Sequence, residues 1–135
     1  LELALTRSLR ARPAAAVVHI GTGAHGSPNV LWLADRMGSA SFAVVRAAEV
    51  VCHRGDLTHV SGAPCADSDD PRRCSQCCAR SWLQRPRAME FQDRRDLLLG
   101  GLAIATAVFV SGASEGETLA NLGVSKRVIG VGGGG

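Results

Sequence analysis

The chain has 135 residues, enough for one domain with a modest core. Apolar residues make up 46% and charged residues 20%, which argues against an intrinsically disordered chain and for a globular fold. The formal net charge is only +3, the arginines are scattered and aromatics are few, so nothing resembles the basic face and stacking rings of a nucleic-acid binder.

Residues 1–12 place Leu1, Leu5 and Leu9 on one helical face with Arg7 and Arg10 outside it, which predicts an amphipathic helix closed by Pro13. The apolar run 15–20 stops at Gly21-Thr22-Gly23 and predicts a buried parallel strand. Ser27 as N-cap and Pro28 at the first helical position predict a helix running to about Met37 and ending at Gly38. A second buried strand is expected over 41–45. Strand, helix, strand in this order is a βαβ unit, so the fold class expected is α/β with a partial Rossmann-like parallel sheet.

Residues 52–88 are rich in Cys, Pro, Asp and Arg and show little periodicity, which predicts an insertion. A structureless stretch of that length needs something to hold it together. Residues 89–105 predict a helix with Phe91, Leu97, Leu98 and Leu102 facing inward. A third strand follows at 108–110, a helix at 115–122 stopped by Gly123, a fourth strand at 128–131, and a glycine tail at 132–135. Residues 1–131 are thus expected to form one partial domain. The longest apolar run, 97–110, is interrupted by Gly100 and Gly101 and falls short of the roughly 20 residues a membrane span needs. No leader pattern is visible at the start, so a reducing cytoplasm is the compartment expected, with peripheral membrane association still compatible.

Four cysteines, Cys52, Cys65, Cys74 and Cys77, are spaced C-x12-C-x8-C-x2-C, and Cys78 follows directly. Zinc takes four thiolates at tetrahedral corners, and a C-x2-C pair such as Cys74 and Cys77 reaches two corners from one turn. Such a closed shell would be structural and would contribute folding free energy to a segment without a core. His53, His59 and Cys78 are spare donors. The competing reading is free or disulfide-paired thiols. An iron–sulfur cluster finds neither ferredoxin spacing here. The odd cysteine count argues against a tidy disulfide framework.

At the end of the first strand, His19 is a candidate for lining a ligand cleft, because parallel sheets bind ligands beyond their carboxyl edges. Gly21, Gly23 and Gly26 nearly spell G-x-G-x-x-G, but the acidic residue expected roughly 20 positions later is lacking, Glu49 lying late and beside the cysteine segment. Gly21, Gly23 and His25 are therefore read with His19 as cleft residues rather than as a dinucleotide site. Glu115 and Glu117 read as helix N-terminal charges. Arg54 and Asp56 read either as an internal ion pair or as contacts for an anion.

These segments together resemble one family. Residues 13–19 resemble the "PDVVHVH" strand of GT-B glycosyltransferases of family 4, the group 1 type. Cys52-His53-Arg54-Gly55-Asp56-Leu57, then Gly62-Ala63-Pro64-Cys65, then Asp70-Pro71-Arg72-Arg73-Cys74-Ser75-Gln76-Cys77, resemble an insertion in a bacterial branch that reads approximately "CPRGQLL…DG.PC…D…RCARCL". Glu117-Thr118-Leu119-Ala120-Asn121-Leu122-Gly123-Val124 resembles the "ETLARLGVP" helix near the interdomain crossover. The resemblance runs from about Arg12 to Val131.

It implies the second half of the acceptor-side, N-terminal domain of an enzyme that transfers a sugar from a nucleotide-sugar donor to an acceptor hydroxyl. The donor would be held by a C-terminal domain outside these residues. Only His19 matches the family's "HVHH", and Arg46-Ala47-Ala48-Glu49 stands in place of "HDYW". Ser111-Gly112-Ala113-Ser114 replaces "PSRF", and glycines replace the terminal "PNG". The scaffold and the cysteines are kept while much of the chemistry is lost, so the chain alone is expected to be inactive. The alternative is a small zinc-stabilised binding module with no enzymatic role.

Overall fold

The structure is a computed structural model that describes residues 2–21, 27, 29–65, 70–78, 88–124 and 128–130. The elements run α1 (Glu2–Ala11), β1 (Ala16–Ile20), α2 (Val30–Arg36), β2 (Ala40–Val44), α3 (Ala47–Val51), α4 (Pro71–Cys78), α5 (Ala88–Ile104), β3 (Ala107–Val110), α6 (Ala113–Asn121) and β4 (Val128–Gly130). All four strands are parallel and lie in the order β1-β2-β3-β4. This is the α/β class expected from the βαβ pattern. The glycine tail lies outside the described residues.

The order runs one way across the sheet, and right-handed crossovers then put every connecting helix on the same face. Burial follows the strand alternation. His19, Ala43, Val108 and Val128 form one row across the sheet, and Ala43 and Val108 are fully buried on the helix side. They join Leu31 of α2, Val50 of α3, Leu102 of α5 and Leu119 of α6 in a single core. The next row, Ile20, Val44, Phe109 and Ile129, points the other way, and Ile20 is 78% exposed. Among the described residues this second face carries no helix. An all-parallel sheet ordinarily has both faces covered.

Two glycines explain how α5 lies so close to α2. A Cβ at Gly100 would stand 2.6 Å from Trp32 Cζ2, and one at Gly101 would stand 3.2 Å from Leu31 Cβ. The Trp32 indole N–H donates to the Leu97 carbonyl at 2.9 Å, pinning the ring over the glycine pair.

Several boundaries differ from the sequence reading. The α2 N-cap is Asn29; Ser27 acts one step earlier, its hydroxyl accepting from the Asn29 N–H at 3.3 Å. Pro28 lies outside the described residues. Gly38 and Gly123 close α2 and α6 with φ of +71° and +95°, the left-handed geometry glycine adopts freely. Leu97, expected inside α5, is 38% exposed, while Phe91, Leu98 and Leu102 are buried. Leu98 and Leu102 are four apart on one face, and Leu97 lies about 100° around the helix from Leu98. Residues 45–106 form the β2–β3 crossover, and they contain α3 and α4, which periodicity alone did not reveal. Glu115 caps α6 from inside its first turn, accepting from the Ser111 N–H at 3.1 Å and the Ser111 hydroxyl at 2.6 Å.

Candidate functional site

Two places gather chemistry-bearing side chains. The first is the carboxyl end of β1 and β2. His19 is buried on the helix-covered face, beside Gly21, whose φ is +72°. The Gly21 N–H donates to Val44 O at 2.8 Å, tying the two strand ends together. A Cβ on Gly21 would lie 3.7 Å from Glu49 Oε2, and one on Gly55 would lie 3.3 Å from Glu49 Cγ. Glu49 thus fills the space between two left-handed glycines. Its carboxylate pairs with Arg46 at 2.8 Å and is largely sheltered from water. By linear spacing Glu49 stands too late for a ribose contact; α3 turns it back over the strand ends, a placement no spacing along the chain reveals. Gly23 and His25, the other two cleft candidates, lie outside the described residues.

Burial lowers the His19 pKa below its usual 6.5, and the nearby Glu49 charge and a hydrogen bond with the Gly21 backbone oppose that only partly. Its Nε2 is buried with no hydrogen-bond partner among the described residues. The sign of the linkage is fixed by the depressed pKa. Above 6.5 the imidazole is neutral in both folded and unfolded chains and costs nothing. As pH falls through 6.5 the unfolded chain takes up the proton first, so stability declines toward the folded pKa. Urea unfolding between pH 7.5 and pH 5, at points set about one unit apart around the usual histidine value, should show this loss. His19→Leu should reduce it, leaving the part due to His53, whose pKa burial and the Arg94 charge also lower, and an unchanged pH slope would contradict the assignment.

The second place is the cysteine segment. Cys52 follows α3 and is buried. Residues 57–65 then fold back on themselves. Thr58 and Pro64 form an antiparallel bridge, the Cys65 N–H donates to Leu57 O at 2.7 Å, and the His59 N–H donates to Ala63 O at 2.8 Å. Leu57 sits at φ +53°, an uncommon backbone for a branched side chain. Next comes α4, in which Cys74, Cys77 and Cys78 occupy positions i, i+3 and i+4 and share one helical face. All five cysteines line one cavity of about 490 Å³, together with His53, His59, Arg54 and Arg73.

None of the five cysteines is in a disulfide among the described residues, and the four sequence-predicted ligands are brought to the same cavity. The C-x2-C pair sits on a helix rather than in the tight turn the spacing suggested. As the side chains stand, no three metal-ligating groups among the described residues come together closely enough to hold an ion. Burial raises the Cys74 thiol, helped by Cys52, Cys65 and Cys77, and pushes Cys78 up to about 11, helped by Cys77, Cys52 and Cys74. Of the spare histidines, His53 keeps a buried Nδ1 with no hydrogen-bond partner among the described residues, and burial together with the Arg94 charge lowers its pKa. His53 packs edge-on against Phe91 with ring centroids 5.1 Å apart, and His59 Nδ1 meets the Ser61 hydroxyl at 2.9 Å.

Arg54 and Asp56 form an exposed ion pair at 3.2 Å, so the internal reading of these two residues holds. Asp56 also accepts from the Thr58 N–H at 3.0 Å, which holds its carboxyl below the usual range ahead of the Arg54 contact. No helix among the described residues is long and apolar enough to cross a membrane. No family model, curated protein or solved structure matches this chain.

Proposed function

We propose that this chain is the second half of the acceptor-side domain of a GT-B-type glycosyltransferase. In this role it presents a sugar acceptor while a second domain holds the nucleotide-sugar donor. The observation that carries the reading is the strand order. In a doubly wound sheet ordered 3-2-1-4-5-6, the second half runs outward in sequence order, and its first strand meets the other half at the switch point where ligands bind. The order β1-β2-β3-β4 has that form, with β1 at one edge. The carboxyl end of β1 is the position of the switch point in that scheme, and it carries His19 and Gly21, with Glu49 from α3 beside them. The bare second sheet face fits the same reading, since a complete doubly wound domain covers it.

In this role the Glu49 carboxylate accepts hydrogen bonds from acceptor hydroxyls. Gly21, lacking a side chain, leaves the strand end open to a sugar ring. His19, kept neutral by burial, offers a ring nitrogen rather than a cation. Arg46, paired to Glu49, orients the carboxylate. The resemblance assigns the donor to another domain, so transfer by this chain alone is not expected.

The test is a titration of the isotope-labelled chain with alkyl glycosides, followed by nuclear magnetic resonance, and a transfer assay with a separate GT-B donor domain supplied. Shifts confined to His19, Gly21 and Glu49, and nucleotide release only when both domains are present, are the expected results. Silence at these residues against every glycoside tried would reject the acceptor role. It would favour the second reading, a non-enzymatic module organised around its cysteines, which the convergence of five thiols on one cavity supports.

A further inference from the structure

The cysteine cavity lies outside the strand-end site and has no part in the reading above. Three walls meet there: the end of α3 with Cys52, the 57–65 fold-back ending in Cys65, and the α4 face with Cys74, Cys77 and Cys78. α3 is anchored in the core through Val50 and α4 packs against α5, but the 57–65 fold-back has little else to hold it. Ser75 is the buried residue of α4, and residues 60–64 are all exposed. Such a segment has almost no apolar area to bury, yet it displays five reduced thiols inward.

We propose that this cavity is a structural zinc site in which Cys52, Cys65, Cys74 and Cys77 supply four thiolates from three separate elements. A soft, all-sulfur donor set with tetrahedral reach selects zinc or an iron–sulfur cluster. The overall chain spacing favours zinc, since it matches neither ferredoxin pattern, and Cys74 and Cys77, three apart on α4, present two thiols from one helical face. Cys77 rather than Cys78 completes the set. Its Sγ lies 3.9 Å from the Thr58 carbonyl, so it already reaches across to the wall that ends in Cys65.

Of the histidines, His59 Nδ1 is taken by Ser61, while His53 packs on Phe91 and keeps a buried Nδ1 with no hydrogen-bond partner among the described residues; the four thiolates complete the shell without either ring. Four thiolates around a dication leave a net negative centre, and Arg54 and Arg73 line the same cavity, each also paired with a carboxylate, Asp56 and Asp70. The cavity is wider than one ion requires, so zinc draws α4 and the fold-back toward Cys52, and binding free energy becomes folding free energy for this segment.

The experiment uses the full chain. It is purified under reducing conditions and analysed for zinc, iron and sulfide, with thiols titrated before and after chelation. The same chain is then loaded with cobalt(II), whose visible spectrum reports tetrahedral thiolate ligation. About one zinc per chain, displaced by chelator with the release of four protected thiols, is the expected result for a closed four-thiolate shell. Cys74→Ser and Cys77→Ser should fall to near-zero zinc, while Cys78→Ser keeps the full complement and the cobalt spectrum. Iron with equimolar sulfide, five freely reactive thiols without metal, or equal loss from Cys77→Ser and Cys78→Ser would each overturn the assignment. Should the serine variants fail to fold, the unmodified chain's cobalt spectrum and thiol count decide alone. Neither result depends on sugar binding, so this site and the acceptor reading stand or fall separately.

Discussion

Replacing Leu102 with alanine should destabilise the fold by about 2–5 kcal/mol, in the range of a buried leucine truncated in a packed core. Leu102 has no exposed surface and belongs to the cluster that joins α5 to Leu31, Ala43, Val108 and Leu119. Only one face of the sheet is packed among the described residues, so this cluster is the principal hydrophobic contact between helices and strands. A domain of this size is stabilised by about 5–15 kcal/mol in total, and the lower end of that range would be nearly exhausted. Denaturant unfolding reads the effect as a fall in midpoint with unchanged slope. Leu97→Ala, on the exposed side of the same helix, should shift the midpoint far less. Equal losses at the two positions would mean that the packed face has been misassigned.

A second large effect is expected at the helix crossing. Gly100→Val should lower stability by about 1–3 kcal/mol through overpacking. A glycine inside a helix normally costs about 0.5–1 kcal/mol relative to alanine, so an added side chain would usually help. Here it meets the indole at 2.6 Å, and the indole is held by its bond to the Leu97 carbonyl. The ring is rigid and cannot give way as a long aliphatic chain would. Trp32→Ala removes the obstacle. Combined with Gly100→Val it should be less destabilising than the sum of the two single changes, with a coupling of about 0.5–3 kcal/mol. Strict additivity would show that the ring is not what keeps residue 100 a glycine.

Both effects trace to features of different legibility. Gly100 and Gly101 are visible in the sequence only as an interruption of an apolar run. Their reason is Trp32, some seventy positions earlier, brought there by the α2–α5 crossing. Glu49 has the same history. Its distance along the chain from Gly21 excluded it from a dinucleotide site, and only the turn of α3 sets its carboxylate between Gly21 and Gly55. Leu97 and Leu98 are adjacent, equally apolar letters, and the crossing decides which one is buried.

What the sequence by itself determined is local. Short β-branched runs are legible as parallel strands, although β1, expected to be buried, is an edge strand in which only His19 is buried and Ile20 is largely exposed. Gly38 and Gly123 stop α2 and α6 in the left-handed geometry glycine adopts freely. Five cysteines within one segment single it out as the chemically distinctive part of the chain. The tertiary structure decided everything that depends on which surfaces meet. It ordered the strands in one direction, left one sheet face without a helix among the described residues, and rolled α4 so that Cys74, Cys77 and Cys78 face Cys52 and Cys65 across one cavity. The reason is physical: backbone conformation is set within a few residues, but burial is shared by groups far apart along the chain, and their meeting is fixed only when the whole core closes.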